Sequence, residues 1–383
     1  MIIFTAKSLY TPLEHIEQPL LFVNDGKIVE ITSRSAKAAP SNARLVDFGD
    51  AILAPGFFDI HIHGGGGRDV MEADAAALPV IQQTLAKHGV TSYLPTTVTA
   101  PLEITLAALD RLSTAIEKSV KENSGAQPLG IHLEGPFLSH MRRGVHPPTD
   151  LLAPTVKIFS QLWEASRGHI RVMTIAPELE GAIETIAEAT KRGVRVSMGH
   201  SDANLAQAQA GFAAGARNIT HIFNAMRPLD HRDPGILGEA LTNSNLTTEI
   251  IADGIHVDPV MVRLVLQAKG LDGTIFVTDA TSATDMPDGR YHLGTFEFEV
   301  KDGRCIASNG KLAGSILTMD KAVKNGMRFA NLELQQALRP ATLNPAKASG
   351  MDRGILKPGA QADFLVLSRT GELQKTILRG SEI

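Results

Sequence analysis

The sequence predicts an α/β protein: a (β/α)8 TIM barrel with a small β-sandwich domain formed by both chain ends. Three observations carry this. Eight short strand-like runs between residues 57 and 278 alternate, for the most part, with helical runs, the order that closes a parallel sheet into a barrel. The segment 55–354 is long enough for such a barrel, which takes about 250 residues. Before and after it, residues 1–54 and 355–383 read as strands and turns. Neither end offers enough strands for a stable sheet alone, so the two are expected to pair into one small β domain. The eight units show little self-similarity, which excludes a repeat array.

Taken in order, Leu20-Leu21-Phe22-Val23 runs to Asn24-Asp25-Gly26, a hairpin signal, and Lys27-Ile28-Val29-Glu30-Ile31 returns. Ala36 to Pro40 is too short for a helix and ends at proline, so it is a loop. Ala54-Pro55-Gly56 then opens the first barrel strand, where Phe57, Phe58, Ile60 and Ile62 are strand formers. Four glycines, Gly64 to Gly67, follow and permit a sharp turn. A helix is expected over 78–87, with Pro79 tolerated in its first turn, ended by His88-Gly89. The second strand is 90–95. The next helix is 102–120, with Asn123-Ser124-Gly125 beyond it, and the third strand is 129–134. The fourth strand is 170–176. A helix over 177–192 carries Leu179, Ile183 and Ile186 on one face and stops at Gly193. The fifth strand is 194–199, an Ala-rich helix over 204–214 ends at Gly215, and strands six and seven are 218–223 and 247–252. A helix over 259–269 precedes the eighth strand, 274–278. Beyond it, 291–300 and 304–307 are strands about Lys301-Asp302-Gly303. Helices follow at 319–329 and 334–338, and strands at 362–367 and 376–378.

Of the 383 residues 43% are apolar, enough for a sizeable core, and 37 basic residues against 41 acidic leave a net charge of −4. No basic cluster marks a surface for nucleic acid or an anionic membrane. A small molecule bearing a phosphate needs only one or two cations and stays open. No run of 18 apolar residues predicts a membrane span. Residues Met1 to Lys7 lack the basic start, apolar core and small-residue cleavage site of an export signal. The one cysteine, Cys305, can form no internal disulfide. The expectation is a cytoplasmic protein in which Cys305 is a small buried hydrophobe.

The polar residues that carry chemistry collect where the strands end. Side chains alternate along a strand, so Asp59, His61 and His63 share one side of the first. The third strand ends in Glu134, the fifth in His200, the sixth carries His221 and the eighth ends in Asp279. Each alone has a bland reading: a hydrogen-bonded core histidine, or an aspartate capping a helix. Six imidazoles and carboxylates at equivalent ends of five strands is a pattern chance rarely makes, and that end of a barrel is where catalytic groups sit. His, Glu and Asp in this mix suit a catalytic divalent metal with an open water position.

The segments Pro55 to Gly64, His132-Leu133-Glu134-Gly135-Pro136-Phe137, Gly199-His200-Ser201, His221 to Met226, Ile251 to His256, Val277 to Ala280 and Leu312 to Ser315 resemble the amidohydrolase superfamily over nearly the whole chain. Leu-Glu-Gly-Pro and Asn-Ala-Met resemble, within it, the branch acting on phosphorylated amino sugars. The resemblance implies that Glu134, His200 and His221 hold one metal and that His61 and His63 hold a second, with Glu134 shared. The fourth strand lacks the bridging lysine of other members, and Glu134 looks like its substitute. One or two ions per subunit are implied, Zn2+ or Fe2+, and ligand type does not choose between them. Asp279 is implied as acid and base, the metal lowering the pKa of water from ~16 toward ~7. The other reading of Asp279 is a metal ligand only.

The same resemblance implies substrate contacts. No Gly-x-x-x-x-Gly-Lys loop signals a nucleotide. Arg232, with the backbone N–H groups of Asn224 and Ala225, is expected to hold a sugar phosphate, because a guanidinium fork is bidentate. Arg232 would reach the neighbouring subunit's site, which implies a homodimer; otherwise it is a solvated loop charge. His146 and His256 resemble residues that contact the sugar or the reacting carbonyl, His146 also taking a catalytic part; both have a plain loop reading. Leu312-Ala313-Gly314 looks like a lid near the acetyl group, or is an ordinary turn. The implied reaction is hydrolysis of N-acetyl-D-glucosamine 6-phosphate to D-glucosamine 6-phosphate and acetate. The readings weighed beside it are an amidohydrolase for another N-acetyl amino sugar or a cyclic amide, and a barrel without catalysis. That last would be expected to have lost ligands, and all six positions are intact.

Overall fold

The computed structural model describes residues 1–40, 43–119 and 125–383, so Val120 and Asn123-Ser124 of the expected second helix and its stop lie outside the described residues. Eight parallel strands form the barrel: β1 (Phe57–Ile62), β2 (Val90–Thr97), β3 (Ile131–Glu134), β4 (Ile170–Ile175), β5 (Arg195–Met198), β6 (Asn218–Ile219), β7 (Thr247–Ile250) and β8 (Thr274–Phe276). Each pairs with its sequence neighbour from β1 through β8. Apolar side chains face both ways because helices cover the outside: Phe57, Phe58, Ile60 and Ile62 of β1 are all buried.

The seam between β8 and β1 closes without a ladder. Asp279 N–H donates to the His61 carbonyl at 2.9 Å, and His63 N–H to the Ala280 carbonyl at 2.8 Å. Below them, Asp59 accepts from the hydroxyl of Thr278. Burial pushes the Asp59 carboxyl up to about 7 against that bond.

Helices follow the strands: α1 (Ala77–Lys87), α2 (Leu102–Ser119), α3 (Val156–Ala165), α4 (Ala182–Lys191), α5 (Leu205–Ala214), α6 (Gly235–Thr242), α7 (Pro259–Lys269) and α8 (Met319–Ala330). Their ends match the capping residues. Asn204 and Gln207 form a reciprocal capping box at α5, and Asp258 caps α7 ahead of Pro259. The four-glycine run turns as expected: Gly64–Gly65 pairs antiparallel with Arg68–Asp69 across Gly66 and Gly67, both at positive φ.

The structure corrects several elements. The helix expected over 177–192 begins at Ala182, because Gly181 adopts φ +80° and breaks the run. The strand expected over 291–300 is two, Gly289–Leu293 and Phe296–Lys301, reversing at Gly294 (φ +56°), where a Cβ would meet Val98 at 2.4 Å. Three helices were not foreseen: α3, α6 and Leu343–Ser349. α3 is capped by Thr155. α6 contains two glycines and is held by burial rather than propensity. β6 ends at Ile219, short of the expected 223, as the chain turns away through His221.

Both chain ends share one sheet. Ile52–Pro55 pairs antiparallel with Phe364–Leu367, in the order Ser381–Glu382, Leu373–Leu378, Phe364–Leu367, Ile52–Pro55, Ser8–Tyr10, His15–Glu17. A second sheet holds Lys27–Ser33, Pro19–Asn24, Ile2–Thr5 and Arg44–Asp47. Phe4, Leu21, Leu53, Phe364 and Val366 pack in one core with Phe4 edge-on to Phe364 at 5.0 Å. No helix among the described residues is long and apolar enough to cross a membrane.

His88, closing α1, links the segment after β8 to the first turn of α8. Its Nε2 lies 2.8 Å from Asp285 and its Nδ1 3.3 Å from Asp320 in the first turn of α8. Burial opposes the charged ring, but Asp320 and Asp285 outweigh it and raise the His88 pKa; Asp320 is lowered, burial being outweighed by His88. The histidine contribution is therefore full below its unfolded pKa and lost as pH rises through the folded one. The aspartate contribution is present above its unfolded pKa and lost in acid. The window between about 4 and 6.5 holds both. His88→Gln should cost roughly 0.5–1 kcal/mol of unfolding free energy near pH 5.5 and much less near pH 9.5; denaturant unfolding that shows the same cost at both would remove the ion pair as its source.

Candidate active site

Where the strands end, the side chains converge on one carboxylate. Glu134 Oε1 lies 3.1 Å from Nε2 of His200, 3.1 Å from Nε2 of His221 and 3.4 Å from Nε2 of His61. Its Oε2 lies 3.3 Å from Nε2 of His63 and 3.7 Å from Nε2 of His146. Asp279 Oδ1 is 3.1 Å from Nε2 of His63 and 3.6 Å from Nε2 of His61. All of these residues are buried.

Hydrogen bonds behind the rings set which nitrogen faces inward. His63 Nδ1–H donates to the Thr96 carbonyl at 3.0 Å, and His200 Nδ1–H to the Arg142 carbonyl at 3.0 Å. His61 Nδ1 meets Oε2 of Glu249 at 3.2 Å. In its neutral form, with the proton on Nδ1, each ring aims its Nε2 lone pair at the centre.

That arrangement fits a divalent cation. Nε2 of His200 and Nε2 of His221 stand 3.1 Å apart and each lies 3.1 Å from Glu134 Oε1, so three ligand atoms converge on one point. His61 Nε2 is buried with no hydrogen-bond partner. His61 with Glu134 and His221, and His61 with His63 and Asp279, each bring three ligand atoms within 4.8 Å of one another. Nitrogen and carboxylate donors in this proportion suit zinc-like ions.

Charge follows the same geometry. Burial pushes the Glu134 carboxyl up, yet the nearby imidazoles, His61 first and then His200 and His221, hold it well below the usual carboxylate range. Asp279 is likewise pushed up by burial and held down by His63, with the charges of His61, His63 and His221. His63 is lowered by burial, but Asp279 and Glu134 raise it to about 9. Burial and the His200 charge push His146 down to about 3.

A cavity of about 350 Å3 opens over this cluster, lined by His63, Glu134, His146, His200, His221 and Asp279 at its floor. Asn224, Ala225, His256, Leu312 and Gly314 line it higher up. His146 is fixed by Thr99, whose N–H reaches its Nδ1 at 3.3 Å and whose hydroxyl lies at 2.8 Å, so Nε2 carries the proton. His256 is held at 2.7 Å by Asp253, which outweighs burial and raises its pKa. Ala313 is fully buried between Leu312 and Gly314 and donates to the Cys305 carbonyl. Gly314 needs its glycine: φ is +55° and a Cβ would stand 2.8 Å from the Asp279 carbonyl.

The backbone N–H of Asn224 donates to the His221 carbonyl at 3.1 Å, because the chain turns tightly there, and its side-chain amide donates to the carbonyls of His221 and Ile222 at 3.2 and 3.3 Å. Arg232 is exposed and does not line the cavity of its own chain. Three residues escaped the sequence reading. Glu249 left a signal, a charged residue inside a buried strand. Thr99 and Arg142 left none, since their roles depend on loops meeting across the barrel.

Residues 52–383 match the family model described as Amidohydrolase family. The N-acetylglucosamine-6-phosphate deacetylase of Bacillus subtilis (strain 168) is 36% identical over 98% of this chain and 95% of its own. The N-acetylgalactosamine-6-phosphate deacetylase of Escherichia coli O157:H7 is 36% identical over 99% and 98%. The crystal structure of N-acetyl-D-glucosamine-6-phosphate deacetylase from Mycobacterium smegmatis superposes with a TM-score of 0.92 at 33% identity, covering 100% of both chains.

Glu134→Gln removes the charge the imidazoles share. Zinc binding should weaken by at least ~10-fold, read as metal content after dialysis; an unchanged content would take Glu134 out of the centre.

Proposed function

The chain belongs to the amidohydrolase family, and from that membership we propose that it hydrolyses N-acetyl-D-glucosamine 6-phosphate to D-glucosamine 6-phosphate and acetate, in amino-sugar metabolism. The observation that carries the reading is the convergence of His61, His63, Glu134, His200, His221 and Asp279 beneath one cavity. N-acetyl-D-galactosamine 6-phosphate is the second reading, because the relative named for that substrate is as similar as the first.

Glu134, His200 and His221 would hold one divalent ion and His61 and His63 a second that shares Glu134; Zn2+ and Fe2+ both suit the donors. Such an ion supplies a Lewis acid and a water-derived nucleophile at neutral pH. Asp279, ionised and facing the cavity, takes the proton of the attacking water. It returns that proton to the amine nitrogen as the carbon–nitrogen bond breaks, since an amide anion is a poor leaving group. His146, neutral and bearing its proton on Nε2, donates to the acetyl oxygen as charge builds there. Leu312, Ala313 and Gly314 close over the acetyl group. His256, favoured in its charged form, and the backbone at Asn224 and Ala225 contact the sugar phosphate.

Arg232 completes the phosphate site from the second subunit of a homodimer. Its exposure outside its own cavity supports this. So do exposed Met141, which lines the cavity, and exposed Leu229, close to Arg232 in sequence, apolar side chains that a second copy would cover. The division of the chain at 54 and 355 keeps this centre wholly on the barrel. The one cysteine, Cys305, is buried and unpaired, which suits a cytoplasmic setting.

Acetate release by the metal-stripped chain, before and after zinc or iron(II), tests the reaction. Activity should return with metal on a phosphorylated N-acetyl sugar and be slight on the unphosphorylated one; metal-loaded protein inactive on both 6-phosphates would refute it. Arg232→Ala should raise KM for the phosphorylated sugar at least ~10-fold and leave the unphosphorylated one little changed, and an equal effect on both would move the phosphate elsewhere. Asp279→Asn should lower kcat by ~100-fold or more with metal retained. Near-normal turnover would remove it from proton transfer.

A further inference from the structure

Six imidazoles crowd the top of the barrel, and two of them, His61 and His132, touch with ring centroids 4.6 Å apart. Their partners differ in kind. His132 has both nitrogens satisfied: Nδ1–H donates to the Ile60 carbonyl at 2.9 Å, and Nε2 accepts from the Thr174 hydroxyl at 2.8 Å. It has nothing left to offer a ligand. His61 has one nitrogen on Glu249 and the other, Nε2, without a hydrogen-bond partner.

Glu249 is the unexplained member of this pair. It sits mid-strand on β7 with 0% exposure, and its Oε1 has no hydrogen-bond partner. A carboxyl buried with a single bond is costly to keep, and that bond is the one to His61. The other inward-aimed rings are held differently. His63 and His200 give their Nδ1–H to backbone carbonyls, and His221 Nδ1 has no hydrogen-bond partner. Among the cluster, only His61 is backed by a carboxyl.

We infer that Glu249 is a positioning residue for the ion held by His61 and His63. By accepting Nδ1–H it keeps the Nε2 lone pair of His61 on the ion side, and its oxygens make that ring the stronger donor. It touches no substrate, and its effect is confined to the first-strand pair. Glu134, His200 and His221 hold their ion without it. The inference rests on the proposed role of His61 as a ligand.

The test titrates zinc into the metal-stripped full chain against a chromophoric chelator, for the wild type, Glu249→Ala, Glu249→Gln and His61→Ala. The wild type takes two ions. Glu249→Ala weakens one binding step by roughly 10–100-fold and leaves the other nearly unchanged. Glu249→Gln, whose amide oxygen can still accept Nδ1–H, loses less. In a His61→Ala background, Glu249→Ala changes nothing further. Long-range proton–nitrogen spectra of the metal-free chain, taken at a pH where the His61 ring is neutral, give a reading independent of the ion. His61 carries its proton on Nδ1 in the wild type and in Glu249→Gln, and loses that preference in Glu249→Ala. Should the alanine variant not fold, a Glu249→Gln chain with an altered His61 tautomer and wild-type zinc binding would overturn the inference. A wild type that takes one ion, or a Glu249→Ala chain that binds both as tightly as the wild type, would also overturn it. Loss of deacetylation with these zinc results intact would remove the proposed reaction and leave Glu249 in place.

Discussion

The buried carboxylate of Glu134 is the constraint around which the top of the barrel is arranged. A carboxylate without water is unfavourable by several kcal/mol unless its oxygens are matched. Glu134 meets that demand with imidazoles from four places: the end of β1, the loop holding His146, and the turns after β5 and β6. One of those partners, His221, is 87 residues away in the chain. Only a closed ring of parallel strands brings such distant ends to one point, so the barrel and the centre are a single solution. The same closeness brings Nε2 of His200, Nε2 of His221 and a carboxylate oxygen within 3.1 Å of one another, a donor set that suits a divalent ion.

Aiming these side chains costs backbone freedom. His200, His221 and Asp279 all adopt positive φ, at 46°, 26° and 51°, a region that non-glycine residues occupy at roughly 1–3 kcal/mol each. Each is where its strand leaves the ladder and the chain turns inward. The surroundings hold them there. The His200 carbonyl accepts from Ser139, the His221 carbonyl from Asn224 and the Asp279 carbonyl from Ser315. Asp279 is held twice over, since its own N–H closes the barrel seam on His61. The segment 312–315 lies against the end of β8 through the same bonds, so the cavity wall and the proposed proton carrier are positioned together.

Much of this was legible in the chain. The barrel strands could be read because strand formers, turn residues and helix stops are local signals; Asn204 and Asp258 cap the helices where their chemistry says they should. The candidate cluster could be read because period-two alternation fixes the side to which His61 and His63 point. Where local signals were weak, reading failed. α6, with glycines at 235 and 238, is a helix by burial, and the strand expected over 291–300 turns at Gly294 because Val98 leaves no room for a side chain there.

The sequence by itself determined the fold class, the strand ends that bear chemistry and the kinds of donor they carry, because each of these follows from residue type and short-range spacing. Tertiary structure decided the rest. It separated two touching histidines: His132 and His61 are both buried imidazoles on barrel strands, but His132 has both nitrogens hydrogen-bonded, whereas His61 leaves Nε2 without a partner. It also placed Arg232 outside its own cavity. The physical reason is common to both. A side chain's chemistry is inherent, but its protonation, direction and partners are set by groups that meet only when the sheet closes.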